Sequence, residues 1–105
     1  MLVNMQKDRL TFSFYGELDH FTIMKIKQEV IDTINMYKSK VVRLDFKKVT
    51  FVDSSGIGFV LSRYKQIKAY DGTLIICDLS PLNRKIFEMS GIFQLVKEEK
   101  NGVLL

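Results

Sequence analysis

Val49-Thr50-Phe51-Val52-Asp53-Ser54-Ser55-Gly56-Ile57-Gly58 passes from an apolar, β-branched stretch into an acid, two hydroxyls and two glycines. Residues of the first kind suit a pleated, half-buried strand. Those of the second kind suit a turn and a helix start, where unpaired backbone N–H groups and the helix dipole favour negative charge. A helical pattern follows at once, with Ile57, Val60, Leu61, Tyr64 and Ile67 at three- and four-residue steps. A serine at such a junction can cap the helix, hold an anion or carry a phosphate, and spacing alone does not choose between Ser54 and Ser55.

Working outward, Val41–Phe46 reads as the strand before this turn, and the helix is expected over Ser55–Tyr70, stopped by Asp71-Gly72. Thr73–Asp78 is a further apolar strand. Strand, helix and strand over Val41–Asp78 make a βαβ unit, which calls for parallel strands and a right-handed crossover. Upstream, Leu2–Gln6 and Leu10–Tyr15 are short strands, the second alternating Leu10, Phe12 and Phe14 with Thr11, Ser13 and Tyr15. Gly16-Glu17-Leu18-Asp19-His20 is read as a connection, followed by a helix over Phe21–Tyr37 with Ile23, Ile26, Val30, Ile34 and Tyr37 on one face. Asp19 is placed to meet the free N–H groups of that helix. Downstream, Ser80 as N-cap and Pro81 at the first helical position open a third helix that Gly91 ends, and a last strand is expected near Phe93–Lys97. The whole is one α/β domain over residues 1–105, with a mixed, mostly parallel sheet. Functional groups in such folds gather beyond the carboxyl ends of the strands, which puts Asp53, Ser54 and Ser55 at such an end, and the Gly16–His20 loop on the same edge.

Composition narrows the function classes. The 105 residues are 47% hydrophobic and 27% charged, the balance of a globular domain. No apolar run is long enough to span a membrane, and Met1–Lys7 lacks the features of a signal peptide, so a cytoplasmic location is expected. The single Cys77 lies in an apolar run and reads as a core residue. The formal charge of +4 is spread along the chain, with no nucleic-acid-binding motif. The densest basic cluster, Arg63, Lys65 and Lys68, reads as a solvated helix face, or else as an electrostatic docking face for a protein. Phe21 and Met24 fit either partner contacts or ordinary packing.

Catalytic patterns fail. The only histidine is His20, read as an exposed loop or helix-start residue. An esterase elbow needs glycine two residues before its nucleophile, where Val52 or Asp53 stands. Gly56-Ile57-Gly58 lacks the third glycine of a dinucleotide fingerprint, and there is no Walker loop. One cysteine and one histidine do not make a structural zinc site. A phosphorylated aspartate of the response-regulator kind would need an early acidic pair for magnesium, and Asp8 stands between Lys7 and Arg9. No catalytic residue, metal or cofactor is therefore expected.

Four segments taken together carry a resemblance: Gly16–His20, Phe51–Gly58, Arg63–Lys68 and Phe87–Phe93. In this order they resemble the STAS-domain anti-sigma factor antagonists. The Ser54-Ser55 pair and the Arg63-Tyr64-Lys65-Gln66-Ile67-Lys68 segment look more like the sporulation branch, the antagonists of the anti-sigma F factor, than the general-stress branch. The resemblance implies a βα superhelix and a non-enzymatic regulator that works by partner switching. It implies that the unphosphorylated form binds an anti-sigma factor that is also a serine kinase, with its ATP or ADP, and so releases a sigma factor. It implies phosphorylation of Ser54 by that kinase, loss of binding, and reversal by a metal-dependent serine phosphatase. The partner surface it implies comprises Asp19, His20, Asp53, Ser54, Ser55, Gly56, Ile57 and Gly58. The alternative is a STAS-type scaffold or ligand-sensing subunit of a stress-response complex whose serine is not modified.

Overall fold

The computed structural model describes residues 1–105. A six-stranded sheet runs in sequence order, β1 (Leu2–Gln6), β2 (Arg9–Leu18), β3 (Val41–Val52), β4 (Thr73–Cys77), β5 (Lys97–Lys100) and β6 (Val103–Leu104). The pairs β2–β3, β3–β4 and β4–β5 are parallel, and antiparallel hairpins close both edges. Helices α1 (His20–Tyr37), α2 (Ser54–Lys68) and α3 (Pro81–Ser90) are the crossovers. Each crossover steps one strand in the same direction, so crossovers of one hand lay all three helices on one face of the sheet. This is the mixed α/β architecture with a βα superhelix that the sequence implied.

Alternation along the strands divides the two faces. Leu10, Phe12 and Phe14 of β2 and Val42, Leu44 and Phe46 of β3 are buried towards the helices, while Thr11, Ser13, Arg43 and Asp45 line a polar opposite face. Phe87 of α3 meets Phe46 edge-on, with ring centroids 5.4 Å apart.

The two central strands are longer than expected. β2 continues through Gly16-Glu17-Leu18, and β3 continues past Phe46 to Val52. Two extra residues on β3 explain the misreading. Ser13 pairs with Asp45 and Tyr15 with Lys48, then Gly16 with Val49 and Glu17 with Phe51. Each bulge resets the phase of the alternation, so Val49 and Val52 return to the core although they break a period of two. Asn83 Nδ2 of α3 donates to Val49 O at 3.1 Å beside the second bulge.

The third helix has the caps foreseen: Ser80 accepts from Asn83 N–H, and Gly91 adopts φ 77° at the C-cap. Beyond it the expectation fails. Ile92–Gln94 is a 3-10 turn, and the strand is Lys97–Lys100. Lys-Glu-Glu-Lys carries no apolar strand signal, and its two glutamates are buried only because arginines meet them. Arg43 bonds Glu99 and Arg84 bonds Glu98, with shortest separations of 3.0 Å each.

Candidate functional site

The site forms where β2 and β3 end side by side. Leu18 pairs with Val52, and each is followed by an aspartate in extended conformation that caps a helix. Asp19 Oδ1 accepts from Thr22 N–H at 2.9 Å, and Asp53 Oδ1 accepts from Gly56 N–H at 3.1 Å. These bonds satisfy helix-start donors that would otherwise need water. The two helix starts therefore share one edge of the domain, as the strand-end rule anticipated. The Thr22 N–H holds the Asp19 carboxyl below its ordinary range.

Asp53, not either serine, takes the cap of α2. Ser54 and Ser55 become the first two residues of the helix, Ser54 exposed and Ser55 half-buried, and neither hydroxyl is committed to a bond within the chain. Gly56 is buried beneath them. A Cβ there would overlap Val52 Cγ1 and lie 2.9 Å from Leu18 O, so only glycine lets α2 start this close to both strand ends. Ile57 is half-buried against the core. Gly58 is exposed, and a Cβ there would meet nothing within 4 Å.

On α1, His20 is exposed at the first position, and Phe21 and Met24 are 74% and 67% exposed, which removes ordinary packing as their role. The two helices are tied at their far ends, where Gln66 Nε2 donates to Ile31 O at 3.0 Å and to Asn35 Oδ1 at 2.9 Å. Towards their starts lies a groove of about 310 Å³, lined among others by His20, Lys27, Ser55, Gly58 and Arg63.

Arg63 corrects the sequence reading. It is buried, whereas Lys65 and Lys68 are exposed, so the three do not form one solvated face. Its guanidinium lies over the Phe59 ring, 5.0 Å from the centroid. Burial pushes its pKa down. The signal was available: Gly56, Val60, Arg63 and Ile67 fall on one helical stripe, and all four are buried. Phe59 is likewise buried where Leu61 was expected to be, and Leu61 is only half-buried.

No group of three or more His, Cys, Asp or Glu side chains is placed to hold a metal. Cys77 is fully buried, and desolvation drives its thiol pKa up to about 12. No helix is long and apolar enough to cross a membrane.

Comparison with known proteins meets this geometry. A STAS domain model matches residues 2–101. The chain is 34% identical over 88 residues to the anti-sigma F factor antagonist of Paenibacillus polymyxa, covering 84% of this chain and 75% of that one. The chain belongs to the STAS-domain anti-sigma factor antagonists. Against the anti-sigma-B factor antagonist of Listeria monocytogenes, this STAS domain is 26% identical over 90 residues, covering 86% of this chain and 78% of that one. Among solved structures, the anti-sigma factor antagonist SpoIIAA in its unphosphorylated form superposes with a TM-score of 0.80 at 28% identity, covering 92% of this chain and 85% of that one. The Bacillus cell fate determinant SpoIIAA in its phosphorylated form gives 0.71 at 29% identity, covering 92% and 88%.

Proposed function

We propose that this STAS domain is a partner-switching antagonist of the sporulation type, whose switch is Ser54. Unphosphorylated, it binds an anti-sigma factor that is also a serine kinase and thereby releases a sigma factor. The kinase transfers the γ-phosphoryl group of ATP to Ser54 Oγ, leaving ADP and a proton, and the complex dissociates. A metal-dependent serine phosphatase restores the hydroxyl. The domain is a substrate and a binding module rather than an enzyme, it works in the cytoplasm, and it touches neither nucleic acid nor membrane.

The carrying observation is the division of labour at the start of α2. Asp53 supplies the cap, so an exposed Ser54 hydroxyl is left free beside it. A solved relative that has a phosphorylated form supports the reading. Phosphate adds about −1.5 to −2 charge. The helix dipole and free N–H groups let the fold carry that charge in water. A docked partner would instead meet a desolvated phosphate beside Asp53 and Asp19, and like-charge juxtaposition costs several kcal/mol at an interface. One modification then abolishes binding without refolding the domain.

The test is incubation with an anti-sigma factor kinase and ATP, followed by mapping of the modified residue by mass spectrometry. Phosphate on Ser54 is expected. No phosphate, or phosphate on Ser55 alone, rejects the assignment. Ser54→Ala should bind the kinase and resist inactivation, whereas Ser54→Asp should bind poorly.

A further inference from the structure

Arg63 is the one feature of the α1–α2 groove that the fold does not account for. The residue is 6% exposed, and its Nε and Nη1 are buried with no hydrogen-bond acceptor. Buried charges are ordinarily paired, because an unpaired one is costly. The Phe59 ring under the guanidinium offers a quadrupole, not an acceptor. Burial alone shifts this group, and no nearby carboxylate offsets it. The same domain pairs Arg43, its other arginine largely drawn out of water, with Glu99, so a buried arginine without a carboxylate is not its habit.

The groove that Arg63 lines is open and carries further positive charge at Lys27 and hydroxyls at Ser55 and Ser62. Exposed Phe21 and Met24 belong to the same stretch of α1, and Met24 lines the groove itself. A free ion has no use for those apolar side chains, whereas a protein surface does. We propose that the groove is a docking socket for an acidic side chain of the protein partner, an Asp or Glu flanked by apolar residues, whose carboxylate enters between α1 and α2 and accepts hydrogen bonds from the Arg63 guanidinium. Docking completes a charge pair that folding leaves half made. The socket rests on the functional reading above, with the anti-sigma factor kinase as the partner that supplies the acid. It also links recognition to the switch. Ser55 lines the socket next to Ser54, so a phosphoryl group there places negative charge near the path of the incoming carboxylate.

The test compares Arg63→Met and Arg63→Lys with the unaltered chain, all unphosphorylated. Met keeps the length and removes the charge, so the free domain should melt about 4 °C higher or more, while affinity for the kinase falls about tenfold or more. Opposite signs on stability and binding are a signature that a purely structural arginine would not give. Lys retains the charge and should recover part of the affinity. In the complex, the resonances of the Arg63 Nη2 protons, the guanidinium nitrogen left accessible to the groove, should move downfield. An Arg63→Met variant that binds as tightly as the unaltered chain overturns the socket and leaves the partner-switching reading standing. Failure of the unaltered chain to bind any anti-sigma factor kinase overturns both. Displacement of the Nη2 resonances by millimolar inorganic phosphate, with competition against the kinase, overturns the carboxylate as occupant and makes the groove a site for a free oxyanion.

Discussion

Arg43 and Arg63 both lie on central elements and both are largely drawn out of water, yet they end in opposite states. Arg43, on the polar face of the sheet, is held on both sides: its guanidinium bonds both oxygens of Glu99, at 3.0 and 3.1 Å, and Thr11 Oγ1 at 3.1 Å. Glu99 also accepts from the Cys77 thiol at 3.3 Å. The bond to Glu99 raises the Arg43 pKa and lowers that of Glu99. Arg63, between the helices, has desolvation and no acceptor. The sheet face is electrostatically complete in the isolated chain, and the helix-start end is not. Completed networks hold a fold, whereas an incomplete one beside an uncommitted serine is what a recognition surface needs before its partner arrives.

The contrast breaks most severely from beneath the open end. Gly56→Ala drives a methyl into Val52 Cγ1 and Leu18 O. Backbone is on one side of that clash, so α2 must move away from both strand ends. A loss of about 3 kcal/mol is expected, as for overpacking of a tight site, read as a lowered midpoint in urea unfolding. A loss under about 0.5 kcal/mol would show that the helix start is looser than the geometry describes.

Next comes turning Arg43 into a second Arg63. Glu99→Gln removes the carboxylate but keeps the volume, and about 1.5–3 kcal/mol of stability should go, since hydrogen bonds to charged groups contribute that much. Unchanged stability would mean that water serves Arg43 as well as Glu99 does.

The same pair gives a pH signature. The folded pKa of Glu99 is lowered from its ordinary value of 4.5, first by the Arg43 hydrogen bond. The unfolded chain therefore takes up its proton at a higher pH than the folded one. The stabilisation is complete above about pH 4.5 and fades as pH falls through the folded value. Acid titration of Tm should fall less steeply for Glu99→Gln than for the unaltered chain. Parallel curves would assign the acid loss to other carboxylates, Asp19 among them.

These two regions were unequally legible in the sequence. The helices declared themselves through apolar spacing and through Asp19, Ser80-Pro81 and Gly91, whereas the cap of α2 was looked for on a serine and falls on Asp53. The carboxyl ends of β2 and β3 were foreseen as the place for function, because Asp53-Ser54-Ser55-Gly56 follows an apolar run. The full length of β3 was not, since the first bulge puts Val49 out of phase with Val42, Leu44 and Phe46 and the second brings Val52 back into it, which leaves three-residue steps where a strand should show two. β5 was hidden for a different reason. Lys97-Glu98-Glu99-Lys100 reads as surface until Arg43 and Arg84, distant in sequence, are known to face it. Arg63 was misplaced because charge outweighed spacing: a stripe through Gly56, Val60 and Ile67 already contained it. Pairwise burial of charge depends on which strands become neighbours, and a local pattern does not carry that information.

The smallest expected effect separates stability from recognition at the open end. Gly58 lies in the interior of α2, where glycine is about 0.5–1 kcal/mol worse than alanine. An added Cβ meets nothing within 4 Å, so Gly58→Ala should raise stability by about that much. Gly58 also lines the groove beside Ser55 and Arg63. A partner seated there would meet the new methyl directly, so kinase affinity should fall while Tm rises, the same pairing of signs as at Arg63 but smaller. Gly56 and Gly58, two residues apart, thus test different things: one methyl strikes the fold and the other only its visitor. A Gly58→Ala variant that gains stability and keeps full affinity would place the partner's path away from the middle of the groove and nearer the exposed Phe21 and Ser54.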